Sequence, residues 1–362
     1  MKWTSQCLAT VLMGLGLVSF STLCEELKLK KIASGYQIPW GIEFIDSANA
    51  VITEKNGRIS LLDVTQGQKT PLYQVTNVDD SGQGGLLDVA LSPITRQQLY
   101  FTFSKEVDTG TTVVLATARL QNKVFSDWQE LFVADAASTT GRHFGSRIAF
   151  DDSNHLYFSI GDRGVRDNGQ DPNNHAATIL RLTLDGKIPN DNPFIDNSEV
   201  KKEIWSFGHR NPQGLFFDGK TQQLWSVEHG PRGGDEINLI QAGKNYGWAK
   251  TSHGKEYWGP IRVGEADTLP GIEAPKWVYI PSIAPSSLML YRGERYPSLN
   301  GKLLIGALKL THINVVSIEN GQLKETDRLF EKLNERVRDI TLSPDDYLYF
   351  TTDNGNIYQV LP

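Results

Sequence analysis

The sequence predicts an all-β fold, a six-bladed β-propeller, from a short strand pattern that recurs along the chain. Each copy joins apolar, β-branched or aromatic residues to a polar or glycine turn, as a strand of a hairpin or meander does. Long stretches of helical periodicity are missing. The six copies lie at residues 51–54, 99–102, 156–159, 224–227, 303–306 and 348–351.

The repeats also predict where the functional loops lie. A propeller arranges its blades around a central channel, so loops at equivalent positions gather on one face. We therefore expect functional residues from distant parts of the chain to follow equivalent strands directly. Two packed β-sandwiches are the alternative fold, although they do not require six similar units. The longest interval between copies, residues 229–302, is rich in Gly, Pro and Trp and is expected to carry a long functional loop.

The first residues are typical of a secretory signal. Lys2 precedes an apolar run at residues 8–20, which is shorter than the roughly 20 residues of a membrane-spanning helix. We expect residues 1–24 to be a signal peptide and residues 25–362 to form one propeller domain without a membrane span, exported to a bacterial periplasm. A lipid anchor on Cys24 is the alternative, against which the bulky Leu23 argues. Because Cys7 and Cys24 both lie in or beside the signal, the mature chain can form no internal disulfide.

Composition excludes several classes of function. The 362 residues include 36 Lys and Arg against 42 Asp and Glu, a formal charge of −6, and no long basic run marks a nucleic-acid partner. Hydrophobic residues make up 39% of the chain, enough for a substantial core. The sequence has no P-loop, dinucleotide fingerprint, HExxH motif or Gly-x-Ser-x-Gly elbow, which disfavours nicotinamide chemistry and serine hydrolysis.

Two glycine-rich stretches, at residues 205–214 and 227–236, do not resemble strand interiors. Glycine lets the backbone approach a ligand closely, and Gly230-Pro231 offers carbonyl oxygens near the carboxylates of Asp235 and Glu236. A hard cation such as Ca²⁺ prefers this mixture of oxygen ligands. A glycine-rich turn with surface acids is the alternative interpretation.

His143 and Asp162 are candidates for acid–base chemistry. A neutral histidine can accept a proton near neutral pH, and a carboxylate on its other ring nitrogen would hold its tautomer. The two residues stand at the ends of neighbouring predicted strands. A purely structural histidine remains the alternative, because spacing alone does not prove the pairing.

Cations cluster late in the chain. Lys309 follows the fifth repeat strand, and Arg336 and Arg338 precede the sixth. Alternate strand residues face the same side, so the two arginines can converge on one anion. With Arg210 they could hold a ligand that bears several carboxylates. An ordinary solvated surface would also contain such residues.

Several of these motifs, in one order, resemble the soluble aldose sugar dehydrogenases that use pyrroloquinoline quinone (PQQ), within the glucose/sorbosone dehydrogenase group. The likeness spans nearly the whole mature chain, and that family's fold is a six-bladed propeller. The motifs that carry it lie at residues 38–41, 82–87, 143–147, 161–164, 205–214, 228–240 and 335–339.

The resemblance implies a role for individual residues. His143 matches the general base that takes the proton of the sugar C1 hydroxyl while hydride passes from C1 to the quinone C5, and Asp162 matches its supporting carboxylate. The carbonyls of Gly230 and Pro231 match ligands of the cofactor's Ca²⁺, and Glu236 and Tyr246 resemble a separate structural Ca²⁺ site. The residues that match the PQQ site are Gln83, Arg210, Asn211, Tyr257, Ala307, Leu308, Lys309, Arg336, Val337 and Arg338.

The activity expected from the resemblance is oxidation of aldoses at C1 to lactones, with PQQ and Ca²⁺ as cofactors and an external electron acceptor. Flat, tricarboxylate PQQ requires cations around its rim and a Lewis acid at its quinone oxygens. Short loops between the repeats favour a broad specificity for aldoses. Two alternatives stay open, a non-catalytic binding propeller and a Ca²⁺-dependent lactonase on a similar fold.

Overall fold

The computed structural model describes residues 27–362 and consists of six four-stranded antiparallel sheets arranged as a propeller. The predicted fold is therefore confirmed, and the sandwich alternative is wrong. Three short 3₁₀ helices, Arg166–Gln170, Pro297–Leu299 and Glu331–Leu333, lie in loops.

The strands follow one another blade by blade. Blade I contains β2 (Pro39–Phe44), β3 (Asn49–Glu54), β4 (Arg58–Asp63) and β5 (Gln68–Gln74). Blade II contains β6 (Leu86–Leu91), β7 (Gln98–Val107), β8 (Gly110–Gln121) and β9 (Val124–Val133). Blade III contains β10 (Ile148–Phe150), β11 (His155–Ile160), β12 (Thr178–Thr183) and β13 (Ile204–Phe207). Blade IV contains β14 (Pro212–Asp218), β15 (Gln223–Glu228), β16 (Asp235–Ile240) and β17 (Trp277–Tyr279). Blade V contains β18 (Pro285–Leu290), β19 (Lys302–Ala307), β20 (Ile313–Glu319) and β21 (Gln322–Leu329). Blade VI contains β22 (Val337–Leu342), β23 (Leu348–Thr352), β24 (Ile357–Leu361) and the N-terminal β1 (Lys28–Ala33).

The six repeats found in the sequence all belong to the second strand of a blade, namely β3, β7, β11, β15, β19 and β23. The first strand of each blade contacts the first strands of its neighbours and surrounds the central channel. Blade VI closes the ring, because β1 pairs with β24 from Lys28 opposite Leu361 to Ala33 opposite Ile357. This pairing leaves no open break between the first and last blades.

Six apolar clusters hold the ring together, one between each pair of neighbouring blades. Because the sheets pack face to face, their middle strands are buried on both faces; in β11, for example, Leu156 and Phe158 face one neighbour and Tyr157 faces the other. Each buried side chain of this size contributes about 1.5–3 kcal/mol. The repeats therefore appear in the sequence as continuous apolar runs rather than as alternating ones.

A β-bulge recurs where the first strand of a blade begins. In blades I, IV, V and VI one extra residue stands opposite the second strand, and these residues are Trp40, Gln213, Ser286 and Arg338. A similar irregularity lies between Leu86 and Val89 in blade II. A bulge turns a side chain away from the regular pleat.

The expectations for residues 1–24, including the signal peptide and Cys7 and Cys24, lie outside the residues that the structure describes. Across residues 27–362 the structure has no helix with the length and apolar character needed to cross a bilayer.

Candidate active site

His143 and Asp162, which the sequence proposed as a pair, are in direct contact. His143 Nδ1 lies 2.6 Å from Asp162 Oδ1. The carboxylate also accepts hydrogen bonds from the Gly164 N–H at 2.7 Å and, on its other oxygen, from Trp248 Nε1 at 2.6 Å. Because Asp162 accepts these bonds as a carboxylate, the proton of the imidazole lies on Nδ1, and Nε2 remains as the basic nitrogen.

The electrostatics around His143 favour its neutral form. Burial lowers the pKa of His143, and the charges of Arg210 and Arg163 lower it further, while the hydrogen bond and charge of Asp162 oppose them. The side chain is 12% exposed, so the ring is still accessible. A histidine that is neutral at physiological pH and open on one nitrogen can act as a general base.

The backbone places His143 by close contacts. Its φ of 53° is in the left-handed region, and its N–H donates to Gln83 Oε1 at 2.8 Å. Gly161, the residue before Asp162, lies directly against it; a Cβ on Gly161 would come within 2.8 Å of the His143 Cβ. Glycine at position 161 is thus required for the contact between the histidine and its carboxylate.

A cavity of about 250 Å³ opens at the same end of the channel. Its lining includes three cations, Lys55, Arg336 and Arg338, and one carboxylate, Asp353. The remaining lining residues are Ile38, Trp40, Gly82, Gln83, Asn211, Gln213, His229 and Leu308. The excess of positive charge makes this cavity suitable for an anionic ligand.

Arg336 and Arg338 converge as their spacing predicted, and both bind Asp353. Arg336 Nε donates to Asp353 Oδ2 at 2.7 Å, and Arg338 donates to the two carboxylate oxygens at 2.8 and 3.0 Å. Burial would raise the pKa of Asp353, but the two guanidinium groups outweigh it and keep the pKa below its ordinary value. Arg338 also donates to Gln213 Oε1 at 3.3 Å.

Arg210 connects the histidine to the cavity. Its backbone carbonyl accepts from the Asp162 N–H at 2.8 Å, and its Nη1 donates to the His229 carbonyl at 3.1 Å. Its guanidinium lies 5.2 Å from the centre of the Trp248 ring. Among the described residues its buried Nε has no hydrogen-bond partner. Arg210 lines a second, narrow cavity beside His229, where its unsatisfied donor is available to a ligand.

A comparison with known proteins decides the family. The family model described as "Glucose / Sorbosone dehydrogenase" matches residues 36–359. The chain belongs to this family. Membership makes the protein an oxidoreductase that acts on CH–OH groups of sugars.

Its relatives and structural neighbours agree with this assignment. The chain is 36% identical over 333 residues to aldose sugar dehydrogenase YliI of Escherichia coli, covering 90% of each chain. It is 27% identical over 420 residues to quinoprotein glucose dehydrogenase B of Acinetobacter calcoaceticus, covering 92% of this chain and 87% of that one. The apo-form of the soluble aldose sugar dehydrogenase from E. coli superposes with a TM-score of 0.88 at 34% identity, over 92% of this chain and 98% of that one. At 24% identity and a TM-score of 0.76, the PQQ-bound aldose sugar dehydrogenase from Streptomyces coelicolor shares the fold, over 93% of this chain and 98% of that one.

In this glucose/sorbosone dehydrogenase family member, the four residues expected to bind calcium lie together. Gly230, Pro231, Glu236 and Tyr246 line one narrow cavity of about 10 Å³, although the resemblance implied two separate sites. The Tyr246 hydroxyl is already used, since it donates to the Leu239 carbonyl at 2.6 Å. No cluster of three or more His, Cys, Asp and Glu side chains in residues 27–362 is arranged to hold a metal.

Two carboxylates, Glu228 and Glu236, line this narrow cavity together with one cation, Arg210. Burial, together with the charge of Glu228, raises the pKa of Glu236 to about 8. Burial also raises the pKa of Asp235, whose two oxygens accept from the Gly230 N–H at 2.8 Å and the Ala284 N–H at 2.7 Å. The oxygen-rich donor set therefore fits a hard cation chemically, with backbone carbonyls and Glu236 as the available ligands.

The remaining predicted residues are more scattered. Leu308 lines the cavity and its carbonyl accepts from Arg336 Nη1 at 3.2 Å. Ala307 and Val337 are buried strand residues, and the Lys309 side chain is exposed. Tyr257 is 66% exposed on the loop between β16 and β17. None of the other four residues, Ala307, Val337, Lys309 and Tyr257, lines the 250 Å³ cavity.

Sequence reasoning missed several residues that line the site. Lys55, His229 and Asp353 each follow the second strand of a blade immediately, as do Leu308 and the pair Gly161-Asp162. The rule that functional residues follow equivalent strands could have identified them. Trp248 comes from the Gly-, Pro- and Trp-rich interval that was expected to carry a functional loop, but nothing in its spacing indicated Asp162 as its partner.

Proposed function

We propose that the protein oxidises aldose sugars at C1 to the corresponding lactones, with PQQ and Ca²⁺ as cofactors and His143 as the general base. The observation that carries the proposal is the hydrogen-bonded His143–Asp162–Trp248 arrangement beside a cation-rich cavity. The family assignment and the quinoprotein relative support the same reaction class. A binding protein would have no need of a neutral, oriented imidazole beside its cavity.

The residues around the cavity fit the cofactor. Bound PQQ would supply an ortho-quinone that accepts the hydride from C1. Arg336, Arg338 and Lys55 would face its carboxylates, and Gln83 and Asn211 would donate amide hydrogen bonds at its rim. The carbonyls of Gly230 and Pro231 are the ligands we assign to its Ca²⁺, and Glu236 and the Tyr246 segment provide further oxygens.

The role of His143 follows from its two hydrogen-bonding sides. Asp162 holds the Nδ1 proton, so Nε2 can accept the proton of the C1 hydroxyl. The resulting imidazolium is stabilised by the carboxylate at 2.6 Å. Asp162 is itself held in place by Trp248 and the Gly164 N–H, which fixes the orientation of the ring. The electrons then leave for an external acceptor.

Purified apoprotein tests the proposal. We expect dye-linked oxidation of aldoses only when PQQ and Ca²⁺ are both added, and the absorption of bound PQQ should change to that of its reduced form on addition of sugar. PQQ binding without any aldose oxidation would leave only the binding-propeller alternative. Lactone hydrolysis with Ca²⁺ alone would instead identify a lactonase.

Export is a separate part of the proposal. We propose that residues 1–24 direct the chain to the periplasm and are removed, which leaves residues 25–362 as one catalytic domain. Mass spectrometry of the protein isolated from a periplasmic fraction should find a chain beginning near residue 25. An intact N-terminus, or a lipid on Cys24, would contradict this expectation.

A further inference from the structure

Arg147 lies directly before β10 and is 5% exposed. Its Nη1 is 2.7 Å from Asp88 Oδ1 in blade II and 2.9 Å from Asp339 Oδ1 in blade VI. Its Nε donates to the Gln213 carbonyl in blade IV and its Nη2 to the Ser286 carbonyl in blade V, both at 3.1 Å. One guanidinium on blade III thus binds the first strands of four other blades.

Arg147 contacts the remaining blade, blade I, through an aromatic ring. The Arg147 guanidinium carbon lies 4.4 Å from the centre of the Trp40 ring, which belongs to β2 of blade I. A guanidinium over an indole face is a favourable cation–π contact. Arg147 therefore connects all six blades at the axis of the propeller.

These contacts fall on the bulges where the first strands begin. A bulge leaves backbone groups without ladder partners, and Arg147 binds the carbonyls of two bulged residues, Gln213 and Ser286. It contacts the ring of a third, Trp40, and the residue after the fourth, Asp339. A buried guanidinium, whose donors have a fixed planar geometry, holds such groups more firmly than water or a flexible ammonium would.

Three of the four bulged side chains line the cation-rich cavity. Trp40, Gln213 and Arg338 all do so, whereas Arg147 itself does not. Arg338 donates to Gln213 Oε1 at 3.3 Å, and its guanidinium lies 5.8 Å from the Trp40 ring. Arg147 thus contacts the two neighbours of Arg338 from the side away from the cavity.

We propose that Arg147 is a positioning residue that aligns Trp40, Gln213 and Arg338 for the cofactor. This inference rests on the proposed function, because PQQ is the anion for which these side chains are aligned. Side chains that bind a rigid ligand lose affinity when their supporting contacts are loosened.

Arg181 provides a matched control. It is also 5% exposed, lies 4.9 Å from the centre of the Trp205 ring, and pairs with Asp191 at 2.8 Å. It stands in β12 and lines neither the cation-rich cavity nor the narrow one beside Gly230. Arg147→Lys and Arg181→Lys therefore each remove a buried guanidinium that lies over a tryptophan ring, and only Arg147 contacts residues of the cavity.

The first measurement is the Kd of PQQ in the presence of Ca²⁺. We expect Arg147→Lys to raise it about 10- to 100-fold, the range found when outer-shell partners of a site are lost. Arg181→Lys should lower the melting temperature but leave the Kd within about twofold of wild type. A folded Arg147→Lys protein with an unchanged Kd, or an equal rise in Arg181→Lys, would overturn the proposal.

The second measurement needs no cofactor. In apoprotein labelled with 5-fluorotryptophan, Arg147→Lys should shift or broaden the ¹⁹F resonance assigned to Trp40 by Trp40→Phe, while Arg181→Lys should affect that of Trp205. An unmoved Trp40 resonance would refute the inference. If wild type fails to bind PQQ, the proposed function is wrong, and this spectrum still decides whether Arg147 holds Trp40.

Arg147→Lys could fail to fold, and Asp88→Asn then replaces it. Asp88 lines no part of the cation-rich cavity, and its substitution leaves Arg147 with a single carboxylate partner, Asp339. We expect the same changes in Kd and in the Trp40 resonance, smaller in size. A folded Asp88→Asn protein that shows neither change would contradict the proposal.

Discussion

The two ends of the central channel differ in their balance of charged side chains. At the end where the first strands begin, three cations, Lys55, Arg336 and Arg338, share a cavity with one carboxylate, Asp353. On the other side of Arg147 lies a larger cavity of about 470 Å³, whose lining includes three acids, Glu43, Asp88 and Asp339, two arginines, Arg147 and Arg292, and otherwise mostly apolar residues. In blades I, IV and VI the same first strand lines both cavities.

The pKa values of buried side chains also differ between the two ends of the channel. Burial raises the pKa of Glu43 to about 8 and that of Asp88 to about 7, and the neighbouring carboxylates add to both shifts. At the other end the pKa of Asp353 is held low, and burial with the charge of Arg210 lowers that of His229 to about 3. Both guanidinium groups that line the larger cavity are held by carboxylates, Arg147 by Asp88 and Asp339 and Arg292 by Asp218. Cavity size alone therefore does not identify the active site.

The largest expected effect tests which end performs the chemistry. His143→Ala should lower kcat by about 10²- to 10⁴-fold, the usual contribution of a general base, with little change in the Kd of PQQ. Glu43→Gln, at the far end, should leave kcat near wild type. Dye-linked assays with saturating PQQ and Ca²⁺ measure both, and equal losses in the two variants would remove the distinction.

The next effect concerns the charge of the cavity. Arg338→Gln should raise the Kd of PQQ about tenfold or more, since it removes a charge-assisted donor from the rim. Arg292 is a control at the far end, because it binds Asp218 in the same bidentate way at 2.8 and 2.5 Å. Arg292→Gln should lower stability without changing the titration of tryptophan fluorescence by PQQ.

A third prediction concerns pH and activity. Because the pKa of His143 is lowered by burial and by Arg210, the acid limb of kcat/KM should lie below the ordinary histidine value of about 6.5. Arg210→Gln should move that limb to higher pH, since it removes a positive charge that opposes protonation. A limb at or above the ordinary value in wild type would argue against a neutral, buried base.

The smallest effect is on stability at the far end. With a pKa of about 8, folded Glu43 keeps its proton well above the pH at which the unfolded chain releases it, so its contribution to stability falls as pH rises toward 8. The change in the free energy of unfolding caused by Glu43→Gln should therefore be more favourable at pH 9 than at pH 5, by roughly 1 kcal/mol or more. Urea unfolding at the two pH values measures this difference, and an identical change at both would contradict the raised pKa.

Much of the fold was predictable because every blade repeats one physical solution. The buried second strand of each blade recurs as an apolar run, so counting these runs was enough to identify six blades. The position of Asp162 directly after such a run also placed it on the functional face. The rule does not apply to blade II, because its second strand, β7, continues to Val107 instead of ending in a functional loop.

Pairings across the channel were harder to predict. Arg336 and Arg338 were expected to meet an external anion, but Asp353, which follows the next strand, already lies between them. The position equivalent to Lys55 of blade I is Leu308 in blade V, and both residues line the cavity, whereas the side chain of Lys309, one residue further on, is exposed. Equivalent positions in the repeat therefore share a location, and a shift of one residue past the strand end turns the side chain away from the cavity.

The sequence by itself determined the strand repeat, its number and the residue types at the blade ends, because these depend on local burial and turn chemistry. Only the tertiary structure decided that Trp248 supports Asp162, that Asp353 sits between two arginines, and that Arg147 joins all six blades. Those contacts join residues as far apart in the sequence as Arg147 and Asp339. They depend on closure of the ring, which brings strands together at distances that no local pattern records.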